Sequence, residues 1–385
     1  MILSKDLQFL IACCKADPSQ DDIDFIRTFI DQEHSALDSI IPLAIQHGVL
    51  PLVYYSIKTH TEDMDIAPFL SKLKQNYQAI AQRNILMSAE LIRITQLLEK
   101  SGIEVLAFKG PTLAQMAYGD ITLRQFADLD ILIDEKDVYS AASALMDQKY
   151  TNLNPLKMLK SEVCLDVAKD FHLLNPNSTI HIEMHWNLFE KKHKTDLSNL
   201  GGQVATQNID INNTTMKTLS NEILLVYLCI HGSKHTWERI EWICDVDRLI
   251  RSQEIDWEQV LTIAEQLKSQ RAFFLGVKLA NMLLHTPIPN NVSFLLDQKQ
   301  ITYLLDATLD RLTNKEGRET SMFDTLNYQS QLFDTKSARY ALYFNTIFNI
   351  SRGDCENLAL PLKLKFLYFF LKPFRIMHKH IFQKS

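Results

Sequence analysis

Two aspartates, Asp128 and Asp130, stand two residues apart in the stretch FADLDILID, residues 126–134. The apolar residues around them predict a buried strand, and side chains in a strand alternate between its two faces. Both carboxylates therefore point to one face, where like charges repel each other. A divalent cation would compensate them, because Mg²⁺ takes one or two carboxylates together with phosphate oxygens and water. The alternative is a strand with a solvated face that carries two aspartates.

A second stretch, TIHIEMHW at residues 179–186, shows the same alternation. Its apolar residues share one face, and His181, Glu183 and His185 share the other. If this strand lies beside the first one in a sheet, Glu183 completes a three-carboxylate cluster with the two aspartates. Such a cluster can hold two metal ions, which activate an attacking oxygen and stabilise a leaving one.

The segment before the aspartates, AFKGPTLAQMAYGDITLR at residues 107–124, offers a site for an anion. A strand that ends at Lys109-Gly110, followed by a helix that begins at Pro111, presents backbone N–H groups and the positive end of a helix dipole. Lys109 and Arg124 would add positive charge there. A glycine in such a turn also has a purely steric explanation, so this pattern alone is weak evidence for a ligand.

These strands lie between two helical regions. Apolar residues recur at helical spacing before residue 96 and again after residue 215. In between, strand, helix, strand and helix are followed by two strands joined by the turn NPNS, which predicts an α+β or α/β fold with a central mixed sheet. We predict an N-terminal helical domain at 1–95, an α/β core at 96–200 and a C-terminal helical domain at 216–385, with a loop over 198–215.

Taken together, LAFKGPTLAQMAYGDITLRQFADLDILI and HGSKHTWERIEWICDVDRL resemble the bacterial family of uncharacterised nucleotidyltransferases, within the superfamily that has the DNA polymerase β-type fold. The resemblance covers about residues 70–260. It implies that the core has the nucleotidyltransferase fold and that Gly110 is the motif glycine. It also implies that Asp128, Asp130 and Glu183 are the catalytic, metal-binding carboxylates.

The chain departs from the superfamily pattern at the glycine turn. The usual Gly-Gly or Gly-Ser is Gly110-Pro111 here, so neither a hydroxyl nor a second flexible glycine helps to hold phosphates. The interval from Gly110 to Asp128 is also longer than in most members. These departures concern the phosphate contacts more than the metal site, and they favour a catalytically silent nucleotide-binding regulator as an alternative function.

The resemblance implies transfer of a nucleoside monophosphate from an NTP, such as ATP, to an acceptor, with Mg²⁺ or Mn²⁺ as the cofactor. The carboxylates would hold the metal against the triphosphate, while Lys109, Gly110 and Arg124 would neutralise charge on the leaving pyrophosphate. The acceptor stays open between a small molecule, a peptide, a tRNA and a protein. An alternative from another class is a helical scaffold or antitoxin-like module whose carboxylate face binds protein.

The segment HGSKHTW, residues 231–237, places His231 and His235 four residues apart on a predicted helix. This spacing can bind zinc, but the zinc-protease pattern requires Glu directly after the first His, and Gly232 stands there. We expect His231, Lys234 and His235 to line a cleft opposite the carboxylates, where cations meet phosphates. Cationic side chains that stabilise a helix end are the alternative.

A second aspartate pair, Asp245 and Asp247, lies on the following predicted helix. We expect these carboxylates to cap the helix or to pair with Arg239 and Arg248. They are therefore interpreted as structural.

The C-terminal segment PLKLKFLYFFLKPFRIMHKHIFQKS, residues 361–385, contains six Lys and Arg residues and no acidic one. Basic residues interleaved with Phe and Tyr favour contact with an anionic membrane or with RNA. The alternative is a terminal helix packed on its own protein.

The composition of the whole chain excludes several classes of protein. Its 385 residues carry a net charge of −6 with a pI of about 6.1, which argues against a surface that generally coats nucleic acid. Six cysteines without a CxxC pair indicate neither a disulfide nor a zinc framework, so the reducing cytoplasm is the expected location. The longest apolar run, ILLVYLCI at 223–230, is far below the ~20 residues that span a bilayer.

Overall fold

In the computed structural model, the contacts within the chain group into two compact units built from separated segments. The described residues are 3–33, 37–189, 205–313, 322–333, 335–357, 362–364 and 366–372. The helical unit comprises residues 1–90, 109–126 and 205–332, and the sheet unit comprises 91–108, 127–204 and 333–385. The three consecutive domains predicted from the sequence stay a prediction. Most of the predicted basic tail lies outside the described residues.

Helices predominate in the chain, as the periodicity predicts. The helices are α1 (Lys5–Cys14), α2 (Gln20–Gln32), α3 (Leu37–Gln46), α4 (Leu50–His60), α5 (Ala67–Lys100), α6 (Pro111–Leu113), α7 (Val138–Asp147), α8 (Glu162–Val167), α9 (Asn221–Lys234), α10 (Ile240–Ser252), α11 (Trp257–Gln266), α12 (Gln270–Leu284), α13 (Asn290–Ser293), α14 (Lys299–Thr313), α15 (Met322–Gln331), α16 (Lys336–Phe348) and α17 (Arg352–Asn357). The strands are β1 (Leu106–Ala107), β2 (Asp128–Leu132), β3 (Thr151–Asn152), β4 (Asp170–Asn175), β5 (Ile180–His185), β6 (Thr206–Ile211) and β7 (Thr214–Leu219). This mixture of helices and a sheet confirms the predicted α+β class.

The sheet unit is built on a five-stranded sheet with the order β1-β2-β5-β4-β3. β2 and β5 are parallel, whereas the other neighbouring pairs are antiparallel. The sheet is therefore mixed, as predicted. β4 and β5 form the predicted hairpin, and in its turn the side chain of Asn175 accepts a hydrogen bond from the backbone N–H of Asn177 (3.0 Å).

Alternation of side chains decides which face of this sheet is apolar. The fully buried apolar residues of the three central strands are Leu129, Ile131, Phe171, Leu173, Ile182 and Met184. Their polar neighbours along each strand point to the opposite face. A slip of one residue would exchange the two faces and expose this core, at a cost of roughly 25 cal/mol for each Å² of apolar surface. Burial of the apolar face therefore holds the polar side chains of the three strands together on the other.

In the helical unit, a glycine and a proline mark the break between α3 and α4. α3 ends at Gln46, and Gly48 has a φ of 72°, a conformation that suits glycine. A Cβ at this position would lie 1.6 Å from a carboxylate oxygen of Glu241, so the position also has no room for a side chain. α4 then begins with Pro51 in its first turn.

The predicted loop over residues 198–215 is wrong from residue 206 onward, because β6 and β7 form a two-stranded antiparallel hairpin there. Asn212 and Asn213 connect the strands with φ values of 48° and 61°, as a type I′ turn requires. The apolar residues of these short strands are few, namely Ile209, Ile211, Met216 and Leu219, so the alternation that usually reveals a strand is weak. The Asn-Asn pair was the available signal. Residues 198–204 lie outside the described residues.

Candidate active site

The two strands that carry the predicted carboxylates are neighbours in the sheet, which confirms that prediction. β2 and β5 run parallel, with Asp130 opposite Glu183 and Asp128 opposite His181. Asp130 is buried and Glu183 is half-buried. Paired residues of adjacent strands point to the same face, so the two carboxylates come together on the polar side of the sheet.

His185 completes a compact group with these carboxylates. Its Nε2 lies 3.0 Å from Asp130 Oδ1 and 3.6 Å from Glu183 Oε2. One potential ligand atom from each of Asp130, Glu183 and His185 lies within 4.8 Å of the others, and we call these three side chains the carboxylate–imidazole cluster. Asp128 is outside this group. The sequence placed His185 on the polar face but did not assign it to the site.

The donor atoms of the carboxylate–imidazole cluster fit a divalent cation. Two carboxylate oxygens are the ligands that Mg²⁺ prefers, and an imidazole nitrogen extends the range toward Mn²⁺ and Zn²⁺. His185 is buried, and its Nδ1 has no hydrogen-bond partner among the described residues. A buried imidazole with one unsatisfied nitrogen is costly in a purely structural role. Ligation through Nε2, the nitrogen that faces both carboxylates, would place a cation among the three side chains.

β4 extends the polar face on the far side of β5. His172 lies opposite Glu183 and Asp170 lies opposite His185. His172 Nδ1 is 3.8 Å from Glu183 Oε1, and its Nε2 is 3.1 Å from Asp170 Oδ1. Acidic and imidazole groups therefore alternate across three strands. The alternation in DFHLL could have revealed this strand's polar face, but the sequence analysis used only its apolar residues.

Arg352 of α17 closes the row at the β4 end. Its Nη1 contacts the carboxylate of Asp170 and lies 3.1 Å from His172 Nε2. Its Nη2 donates to Asn154 Oδ1 (2.7 Å), and its Nε donates to Glu356 Oε1 (3.0 Å). The guanidinium is thus held on three sides. Nothing in the sequence around Arg352 points to this contact.

The surroundings of Asp170 keep its carboxylate ionised. Burial disfavours the ionised carboxylate, but the hydrogen bond from His172 and the positive charge of Arg352 more than offset this. The pKa of Asp170 consequently lies well below its usual range. Asp170 is therefore a fixed negative charge that orients His172 beside Glu183.

The predicted anion-binding residues belong to the helical unit. Gly110, with φ 55° and ψ −126°, precedes α6, which continues as a π-helical turn over Ala114–Tyr118. Gly119, with a φ of 71°, ends this helical segment, as predicted. Lys109 places its Nζ 5.3 Å from the centre of the Tyr227 ring, a cation–π distance.

Arg124 makes a buried ion pair within the helical unit. Its Nε and Nη2 donate to the two oxygens of Asp245 at 2.7 and 2.9 Å, and the Tyr118 hydroxyl donates to Asp245 Oδ1 at 2.9 Å. Burial opposes the charged guanidinium, but Asp245 raises the pKa of Arg124 above its ordinary value. Burial likewise raises the pKa of the Tyr118 hydroxyl well above its usual value. The role of Arg124 in binding pyrophosphate stays a prediction.

Arg239 is not the partner of Asp245 that the sequence predicts. It pairs instead with Glu241 at 2.9 Å. Asp247 accepts from Arg251 at 2.8 Å and from Thr286 at 2.6 Å. Arg248 does pair with Asp247, as the sequence predicts, with its Nε 4.0 Å from Asp247 Oδ2. Residues two apart on a helix point in nearly opposite directions, and Asp245 pairs with Arg124, which is distant in the sequence.

His231 and His235 lie near the end of α9 in an aromatic group. Their ring centres are 4.7 Å apart. The ring centre of Trp242 lies 5.5 Å from that of His231 and 5.4 Å from that of His235. The backbone carbonyl of Lys234 accepts a hydrogen bond from Gln329 (3.1 Å). Gly232 is explained by packing, because a Cβ there would lie 2.4 Å from the ring of buried Trp237. Phosphate contacts by His231, Lys234 and His235 stay a prediction.

Comparison with known proteins identifies the family to which the chain belongs. A solved structure, an antigenic nucleotidyltransferase-like protein from Paracoccidioides brasiliensis, is similar with 15% sequence identity and a TM-score of 0.33, over 54% of this chain and 95% of that one. No curated protein matches the sequence significantly. The model of the family described as "Uncharacterised nucleotidyltransferase" matches residues 33–285. Because this match spans more than half of the chain, the protein belongs to the family of uncharacterised nucleotidyltransferases.

Proposed function

We propose that the protein is a metal-dependent nucleotidyltransferase with a site of the DNA polymerase β type. It would transfer a nucleoside monophosphate from an NTP to an acceptor. The observation that carries this proposal is the pairing of Asp130 with Glu183 on adjacent parallel strands, with His185 within reach of both. Family membership supports transferase activity in general, and the pairing of Asp130 with Glu183 supports this part of the sheet as the active site.

Asp130, Glu183 and His185 would hold the metal, which we propose to be Mg²⁺ or Mn²⁺, and Asp128 would join them from the same face of β2. A bound divalent cation would supply charge stabilisation for the triphosphate and the leaving pyrophosphate. The mixed oxygen and nitrogen donors favour Mn²⁺ more than an all-oxygen set would. We therefore expect activity with both ions.

The side chains around the carboxylate–imidazole cluster would handle the proton of the acceptor. In the transfer, an acceptor oxygen forms a bond to the α-phosphorus while the bond to the pyrophosphate oxygen breaks. Glu183 would take the acceptor proton, and His172, held beside it by Asp170, would stabilise the protonated form. Arg352 would keep Asp170 ionised during this step.

For phosphate binding we retain Lys109, Gly110, His231, Lys234 and His235 as proposed contacts. Family resemblance supports Gly110 as the motif glycine. Arg124 would have to exchange its two hydrogen bonds to Asp245 for a phosphate, so we assign it a supporting role behind this segment.

A catalytically silent nucleotide-binding regulator is the second candidate, and one observation favours it. Gly110 is followed by Pro111, which has no N–H, so the start of α6 offers one donor fewer to a phosphate. Such a protein would bind an NTP and a metal without transferring anything.

The test combines binding with transfer. Wild-type protein should gain thermal stability from ATP with Mn²⁺, and should bind Mn²⁺ in a paramagnetic resonance titration. Asp130→Asn and Glu183→Gln should lose both signals. The matched controls Asp147→Asn and Glu135→Gln change exposed carboxylates of the sheet unit and should behave as wild type.

Transfer is then measured with α-labelled NTPs and a cell extract that supplies acceptors. Label retained on a product, with release of pyrophosphate, supports the enzyme. Stabilisation by nucleotide and metal without transfer would support the regulator. No stabilisation in any combination would contradict both and favour a helical scaffold that binds protein.

A further inference from the structure

The C-terminal part of the sheet unit exposes a stripe of large apolar side chains. On α16, Tyr340, Phe344 and Ile347 follow one another at intervals of four and three residues, and between 42% and 73% of each residue is accessible to solvent. This spacing places them on one side of the helix. The same helix buries Leu342, so it already has an inward face and the stripe is its outward one.

A second row of exposed aromatic residues continues the stripe. Phe366, Phe369 and Phe370 lie at the start of a short helix through residues 367–372, and all three are exposed. This helix also has an inward side, formed by buried Tyr368 and Lys372. The helix therefore packs on the protein through this inward side, and its outward apolar residues are exposed in addition.

Ring contacts join the two rows into one surface. Phe348 stacks on Phe369 with ring centres 4.9 Å apart, and Phe344 lies 4.9 Å from Phe348 and 6.4 Å from Phe369. Phe370 lies 5.4 Å from Phe369. We call this surface the aromatic patch; its members are Tyr340, Phe344, Ile347, Phe348, Phe366, Phe369 and Phe370. Continuous exposed apolar surface of this kind marks an interaction site in soluble proteins.

Charge decides between the possible occupants of the aromatic patch. The segment 361–385 contains six Lys and Arg residues and no acidic one, whereas the whole chain is negative by six charges. Lys336 and Lys363 are exposed close in sequence to the two rows. Exposed phenylalanines with exposed lysines close to them in sequence match a surface with negative charge outside and hydrocarbon beneath, which is the interface of an anionic bilayer. A second copy of the chain would bring the same positive charges together.

The arrangement of the rings argues against RNA as the partner. Bases stack on open faces of separate aromatic rings. Here Phe348 and Phe369 stack on each other with an interplanar angle of 20°, which covers one face of each ring and leaves fewer open faces for bases. Among the described residues, no helix is long and apolar enough to cross a membrane.

We propose that the aromatic patch, together with the exposed lysines Lys336 and Lys363, forms a peripheral docking surface for membranes rich in anionic phospholipid. The Phe side chains would enter the interface between headgroups and acyl chains, and the lysines would contact lipid phosphates. This proposal does not depend on nucleotidyl transfer, because no member of the patch belongs to the carboxylate–imidazole cluster.

The test is sedimentation of the full-length protein with vesicles of phosphatidylcholine alone or mixed with phosphatidylserine. We expect binding to the mixed vesicles that weakens with salt, and little binding to the neutral ones. The double variant Phe344→Ser, Phe370→Ser should lower the partition coefficient at least about tenfold, because it removes two rings that would be buried in the bilayer interface. The control is Phe294→Ser, Phe323→Ser, which removes two other phenylalanines that are 84% and 70% exposed, both in the helical unit. It should bind as wild type.

Since all four rings are exposed, each variant should melt at the wild-type temperature; if the first variant does not, Tyr340→Ser, Phe366→Ser replaces it. Equal binding of patch variant and wild type would overturn the proposal, as would equal binding to neutral vesicles. So would RNA binding that the patch variant abolishes while vesicle binding is absent. A concentration-dependent increase in mass, lost in the patch variant and without vesicle binding, would assign the patch to a second copy of the chain.

Discussion

The chain contains the pattern Asp-x-Asp twice, once as Asp128-Leu129-Asp130 in β2 and once as Asp245-Val246-Asp247 in α10. In the strand, both carboxylates point to one face, and the imidazole of His185 lies against Asp130. In the helix, the two carboxylates point in different directions, and each pairs with a different arginine. Asp245 pairs with Arg124, and Asp247 pairs with Arg251.

This difference in partners distinguishes an aspartate with a structural role from one that can bind a metal ion. A guanidinium is always charged, so an aspartate paired with it is permanently neutralised. An imidazole can lose its proton at neutral pH, and it can move aside or become a ligand when a cation arrives. The same spacing of acids therefore has opposite meanings, and the partner decides which one applies. Three substitutions test this comparison, ordered by their expected effect on the free energy of unfolding.

The largest effect is expected for Asp245→Asn. It removes the negative charge from a buried pair and leaves the guanidinium of Arg124 uncompensated, so we expect the free energy of unfolding to fall by about 3–5 kcal/mol. Urea unfolding measures this loss. The double variant Asp245→Asn, Arg124→Met should recover part of it, because the unpaired charge is gone. A loss below about 1 kcal/mol would show that the pair is not structural.

A smaller effect is expected for Arg352→Gln, because Arg352 is partly exposed and water screens its charge. At neutral pH we expect a loss of about 1 kcal/mol. Since the folded-state pKa of Asp170 is lowered, its ionised form stabilises the protein above the unfolded pKa of about 4, and this contribution disappears as the pH falls through the folded value. The wild type should therefore lose its advantage over the variant as the pH is lowered below about 4.

Urea unfolding at pH 7, 4 and 3 checks this prediction, and Arg352→Lys, which keeps the charge, should lie between the two proteins. An advantage of the wild type that stays constant down to pH 3 would show that Arg352 acts through packing rather than through Asp170. In that case Asp170 would not belong with Asp245 among the arginine-paired acids.

The smallest effect on stability is expected for Asp130→Asn. The amide keeps the shape and can keep a hydrogen bond to His185, while repulsion from Glu183 is relieved, so stability should change by less than about 1 kcal/mol. Mn²⁺ binding should nevertheless be lost. Unfolding in urea and a Mn²⁺ titration of the same preparation provide the two measurements. A loss as large as that of Asp245→Asn, with Mn²⁺ binding intact, would make the two aspartate pairs equivalent and remove the basis of the proposed metal site.

The core of the candidate site could be predicted because it depends on local patterns. The two-residue alternation in β2 and β5 predicted that Asp130 and Glu183 lie on polar faces, and the resemblance to nucleotidyltransferases implied that both belong to one metal site. The break at Gly48 and the hairpin of β4 and β5 were predictable for the same reason, since turn residues act over a few positions. The β6–β7 hairpin was missed because its two short strands contain few apolar residues and their alternation is weak.

The sequence by itself determined which side chains share a face, since helical and strand periods are local and do not depend on the rest of the chain. The tertiary structure alone decided which charges meet. Arg124 reaches Asp245 across 121 residues, and Arg352 reaches Asp170 across 182 residues. Such contacts depend on how segments that are distant in the sequence pack together. The sequence around an arginine does not show which acid it will pair with. The sequence therefore separated the aspartates of the strand from those of the helix, and the tertiary structure decided which arginines and which imidazole they contact.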